Sequence, residues 1–220
     1  ERSVALALFD LDNTLLAGDS DYLWGMFLVG LGVVDREHYE RENERFYREY
    51  REGRLDIQEF LHFSLRILSE HPLPQLAAWR QEFLTRCIDP IILPAGRALI
   101  DRHRERGDTL LIITATNAFV TAPIAARLGV PHLLASEPEL HEGRYTGRLS
   151  GVPCFQAGKV TRLEAWLQAQ GETLRDSTFY SDSHNDLPLL ERVDHPVAVD
   201  PDATLRDHAT ARGWPVISLR

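Results

Sequence analysis

Cysteine is scarce in this sequence: Cys87 and Cys154 are the two present among 220 residues. They lie far apart without a CxxC spacing, so neither a disulfide framework nor a zinc site is indicated, and the chain reads as a reduced, cytoplasmic protein. Positive charge is also in short supply. Its 24 Lys and Arg face 33 Asp and Glu, a formal net charge of -9, which argues against nucleic acid or an anionic membrane as partner. The apolar stretch "LWGMFLVGLGVV" is too short to span a bilayer, and the opening residues lack the basic flank and cleavage site of a signal peptide. No stable membrane association is expected. Internal repeats and low-complexity segments are absent as well.

What is present suits a globular enzyme. A hydrophobic content of 44% with 26% charged residues is ordinary, and the length predicts one domain or one domain with an insertion. "VALALF" from Val4 and "TLLIITA" from Thr109 are short unbroken apolar runs, the pattern of strands covered on both faces. "STFYS" and "PVAVD", near residues 177 and 196, predict two more, with helical patterns before each. Alternating strands and helices predict an α/β fold: a Rossmann-like three-layer core with a parallel sheet. "LHEGRYTGRLSG" predicts a small hairpin around Gly143 and Gly147. Residues 17–93 break the alternation with long amphipathic helical patterns and no strand. They form a helical insertion in a core made of residues 1–16 and 94–220.

Ligands of open α/β sheets bind beyond the carboxyl ends of the strands, and four polar clusters stand there. Asp10, Asp12 and Thr14 follow the first strand, and Thr114 to Asn117, with Ala115 between them, follow the second. Lys159 stands at a helix start, and Asp182, Asn185 and Asp186 follow "TFYS". Acids, a lysine and a threonine at one mouth suit a hard cation together with a phosphate, and Mg2+ fits best. "DLDNT" is not an EF-hand loop, because leucines stand where that loop needs its glycine turn, and "AGKVT" is not a P-loop, because Val160 replaces the Ser or Thr.

The order and spacing resemble the haloacid dehalogenase superfamily of phosphatases. "DLDNT" matches its DxDx[TV] motif, Thr114 its strand-closing Ser or Thr, Lys159 its basic residue, and Asp182 with Asp186 its acidic cluster. The resemblance covers nearly the whole chain and makes the insertion at 17–93 a helical cap. It implies that Asp10 attacks phosphorus to form an aspartyl-phosphate and that Asp12 is the general acid and base. It further implies that Thr114, Ala115 and Lys159 bind the phosphate and that Asn185 orients one of these groups. Mg2+ would be held by Asp10, the Asp12 carbonyl and Asp182, with Asp186 as a ligand or just behind.

Within the superfamily the chain is most similar to the phosphoserine phosphatase branch, whose cap holds the substrate amine with an acid nine residues after the nucleophile. That count gives Asp19. "GRLDIQEFLH" places His62 where the branch carries a carboxylate-binding arginine, and a histidine cannot form the bidentate fork. The resemblance therefore favours a small phosphate ester with an amine and no carboxylate. Histidinol phosphate has that form, its ring within reach of His62, Trp24 or Phe63, and similar bacterial proteins include histidinol phosphatases. Phosphoserine, a lipid phosphate or a nucleotide remains the alternative substrate, and a non-catalytic binding protein the alternative role.

Overall fold

The structure, a computed structural model, describes residues 4–220, so the first three residues of the expected core segment lie outside the described residues. The run after Val4 becomes strand β1 (Leu6–Phe9), buried at every position. Leu6 and Leu8 enter one hydrophobic cluster and Ala7 and Phe9 another, because successive strand residues point to opposite faces. Both faces are covered, which explains the unbroken apolar run.

Four helices follow: α1 (Ser20–Leu31), α2 (Arg36–Arg51), α3 (Ile57–Ser69) and α4 (Leu73–Phe83). Asp19, Asp35 and Asp56 start the first three by accepting backbone N–H groups of the opening turn. A π-helical turn and a short 3-10 segment then lead to α5 (Pro94–Glu105). In α2 the charged side chains pair at the surface, Arg45 with Glu42, Glu49 and Glu59, while Tyr39, Asn43 and Phe46 are buried.

Beyond α5 the chain builds a sheet on both sides of β1. β2 (Thr109–Asn117) and β5 (Thr178–Ser181) flank β1 in parallel. β3 (His132–His141) and β4 (Arg144–Ser150) extend one side, and β6 (His195–Val199) and β7 (Val216–Ile217) the other. β3 and β4 alone pair antiparallel among the described residues, and they form the expected hairpin. Helices α6 (Ala118–Arg127), α7 (Ala157–Gln170), α8 (Leu187–Leu190) and α9 (Ala203–Arg212) fill the connections. The parallel start of β3 and the two-residue β7 were not expected from the sequence. β3 carries polar residues through its second half, and β7 is too short for a period to register.

Trp24 corrects one expectation. It lies in the core at 2% exposure, packed on Phe27 and Phe83 of the insertion and on Phe119 of α6, rather than against a ligand. Phe63 likewise packs on Tyr39 and Phe46. One hydrophobic cluster thus runs from the inserted helices into the sheet. Trp24→Ala is expected to cost about 3–5 kcal/mol of stability in urea unfolding. Insertion and sheet should melt in one transition, so the remaining tryptophans and far-UV circular dichroism should report the same midpoint; two separate midpoints would show that the cluster does not couple them.

Candidate active site

The chain turns immediately after β1. The Asp10 N–H donates to the Tyr180 carbonyl (2.9 Å), and Leu15 and Leu16 return N–H bonds to Leu11 (3.0 and 3.1 Å). Asn13 takes a left-handed φ of 57°, which asparagine tolerates better than most residues. The turn holds Asp10 and Asp12 at the carboxyl end of the central strand.

Lys159 meets Asp10 there. Its Nζ lies 3.1 Å from Asp10 Oδ1 and 2.8 Å from Asp186 Oδ1, and all three residues are buried. Burial favours the neutral amine, but Asp10 and Asp186 outweigh it and hold the ammonium charged. The backbone before Lys159 is tightly shaped. A Cβ at Gly158 would stand 2.0 Å from the Pro153 carbonyl, so glycine alone fits. Gln156 adopts φ 49°, and its side chain donates to Asn185 Oδ1 (3.0 Å). Asn185 in turn donates to the Tyr50 carbonyl at the end of α2 (2.9 Å), so it ties the insertion to the segment that precedes Lys159.

Asp182 lies beside Asp10 and accepts from Thr14 Oγ1 (3.0 Å), which also reaches Asp10 Oδ2 at 3.4 Å. Burial, then the neighbouring Asp10, push the Asp182 carboxyl well above its ordinary range. Two adjacent hard-oxygen carboxylates in mutual repulsion are the donor chemistry that a divalent cation relieves. Among the described residues no three His, Cys, Asp or Glu side chains are arranged to hold a metal. Asp186, expected as a ligand or just behind one, has its Oδ1 2.8 Å from Lys159 Nζ, and its Oδ2 accepts from Ser181 Oγ (2.6 Å).

Asp12 is gripped from two sides. The Ser20 N–H donates to Oδ1 and Thr116 Oγ1 to Oδ2, each at 2.7 Å. Burial raises the Asp12 carboxyl against these bonds. Neither pairing was visible in the sequence, since Ser20 opens α1 and Thr116, though within the cluster Thr114 to Asn117, lies 104 positions away from Asp12. Thr114 and Ala115 line the same mouth, with Thr114 Oγ1 accepting from the Thr116 N–H (3.2 Å).

From this mouth a small cavity of about 50 Å³ extends under the insertion. Asp19 and Asp21 line it with rings from Tyr22, Phe46, Tyr47 and Phe60, and among the described residues no Lys, Arg or His lines it. Asp19 Oδ1 caps α1 by accepting from the Asp21 and Tyr22 N–H groups (both 2.9 Å). Burial, then Asp12, push both carboxyls up, Asp19 well above its ordinary value and Asp21 to about 7. His62 lies elsewhere. It is exposed on α3 and lines a separate cleft with Arg66 and Arg148, because the buried face of α3 is Leu61, Leu65 and Leu68.

Known proteins share this architecture. A model of the haloacid dehalogenase-like hydrolase family matches residues 7–191. A histidinol-phosphatase of Neisseria meningitidis serogroup C (strain 8013) is 44% identical over 219 residues, which cover 98% of this chain and 99% of that one. The crystal structure of a protein with unknown function from Bordetella pertussis Tohama I superposes with a TM-score of 0.94 at 45% identity, over 100% of both chains. A substrate-bound phosphoserine phosphatase superposes with a TM-score of 0.74 at 18% identity, over 100% of this chain and 95% of that one, a likeness of fold alone. No helix among the described residues is long and apolar enough to cross a membrane.

The raised Asp21 carboxyl carries a signed expectation. Between its ordinary 3.8 and about 7 the folded protein keeps a proton that the unfolded chain has released, so this group makes stability fall as pH rises through that window. Asp21→Asn removes the loss. Its melting temperature relative to the wild type should be higher at pH 8 than at pH 4; a difference independent of pH would contradict the assignment.

Proposed function

The chain belongs to the haloacid dehalogenase-like hydrolases, and from that premise we propose that it is a Mg2+-dependent phosphomonoesterase acting on histidinol phosphate through an aspartyl-phosphate. Residues 17–93 act in this reading as the substrate-selecting cap over the core. Asp10 attacks phosphorus as Asp12 passes its proton to the departing alkoxide, breaking the ester P–O bond. Asp12 then takes a proton from water, whose oxygen displaces Asp10 from phosphorus and releases inorganic phosphate. The burial-raised Asp12 carboxyl, held at both oxygens by Ser20 and Thr116, suits a group that must carry and return a proton. Lys159 and Thr114 lie where the phosphate oxygens would gather charge. Asp10, the Asp12 carbonyl and Asp182 would hold Mg2+, which supplies positive charge against the repulsion between phosphate and carboxylate.

One observation carries the substrate reading: among the described residues the cavity is lined by carboxylates, rings and neutral side chains and by no cationic one. An ammonium finds Asp19 and Asp21 there, and a flat heterocycle finds Phe46, Tyr47 and Phe60. A carboxylate, as on phosphoserine, finds no cationic partner among the described residues that line it. The 44% identical relative named a histidinol-phosphatase agrees with this chemistry.

Phosphate release from histidinol phosphate, phosphoserine and a nucleotide monophosphate, with and without Mg2+, tests the proposal. Release should require Mg2+ and favour histidinol phosphate by at least about tenfold. Asp10→Asn should abolish it, and Asp12→Asn should lower kcat by about 10²–10⁴-fold. Preference for phosphoserine would refute the substrate assignment, and turnover by Asp10→Asn at the wild-type rate would refute the mechanism.

A further inference from the structure

Asn43 stands in the middle of α2, buried at 5% exposure in a helix whose other side chains are mostly charged. Burying a carboxamide is costly unless its polar atoms are used. Its Nδ2 donates to the Tyr22 carbonyl of α1 at 3.0 Å. A carbonyl oxygen can only accept, so this bond sets the orientation of the amide and leaves Oδ1 as an unspent acceptor. Among the described residues no donor is found for Oδ1, and Asn43 lines the cavity beside Tyr22 and Phe46.

The neighbouring helix is shaped around this amide. A Cβ at Gly25 would stand 2.9 Å from both Nδ2 and Oδ1, so a glycine at this point of α1 leaves room for the amide. Around the opening lie the rings of Phe46 and Phe60, edge to face at 5.4 Å, and the carboxylates of Asp19 and Asp21. The carboxylates suit a cation; a neutral acceptor beside an aromatic wall suits a neutral N–H on a flat ring.

We infer that Asn43 is a specificity-determining residue whose Oδ1 accepts the ring N–H of a heteroaromatic substrate. This rests on the phosphatase reading above and adds the residue that would tell a heterocycle from a hydrocarbon ring. The test compares kcat/KM for histidinol phosphate and phenylalaninol phosphate, which keeps the amine, the phosphate and a flat ring but has no ring N–H. Wild type, Asn43→Ala and Asn43→Leu are measured, the leucine filling the volume without an acceptor. The ratio of the two substrates within each protein cancels any loss of folded enzyme. Wild type should favour histidinol phosphate by about tenfold or more, the scale of one hydrogen bond, and both variants should fall to within about threefold. An unchanged ratio in both variants, or a wild type that hydrolyses both esters equally, overturns the role of Asn43 and leaves the phosphatase reading standing. A wild type that releases no phosphate from histidinol phosphate overturns both.

Discussion

A single buried ammonium allows the rest of the site to exist. Asp10, Asp12, Asp182 and Asp186 crowd the carboxyl end of the central strands, and uncompensated charges at such depth would destabilise the fold by several kcal/mol each. Lys159 answers two of them at 3.1 and 2.8 Å. Much of the nearby backbone serves that placement: the obligatory Gly158, the left-handed Gln156 with its Asn185 tether, and Ser181 on the far oxygen of Asp186.

The two aspartates after β1 are treated differently by their surroundings. Asp10 is paired directly with the lysine at 3.1 Å. Asp12 has no direct cation and is held by neutral donors, one from the first turn of α1 and one from the end of β2. Its grip therefore comes half from the insertion and half from the sheet. The continuous core through Trp24 and Phe119 gives that junction a rigid footing, while the acidic cavity lies on the insertion side of it.

Legibility in the sequence followed the range of the forces involved. Four parallel strands, the hairpin and the inserted helices were legible because strand and helix periods and glycine turns are local signals. Asp10, Asp12, Thr114, Lys159 and Asp182 were legible as candidates because each stands at the end of an element, and the structure brings them to one mouth. His62 was misread because one step along a helix turns a side chain by about 100°, from the buried stripe of Leu61 to solvent. Asp186 stood in the expected acidic cluster, but its contact with Lys159 joins residues 27 positions apart in the chain, from Lys159 to Asp186.

The sequence by itself determined the fold class and which polar residues stand at the strand ends. These follow from patterning and from residue types at strand ends, and both are written within short windows. Tertiary structure alone decided which groups serve which: Ser20 and Thr116 on Asp12, Asp186 on Lys159, Asn43 fitted against Gly25. Those pairings join separate elements, and hydrogen bonds and close contacts act only over a few ångströms, so nothing local in the chain could announce them.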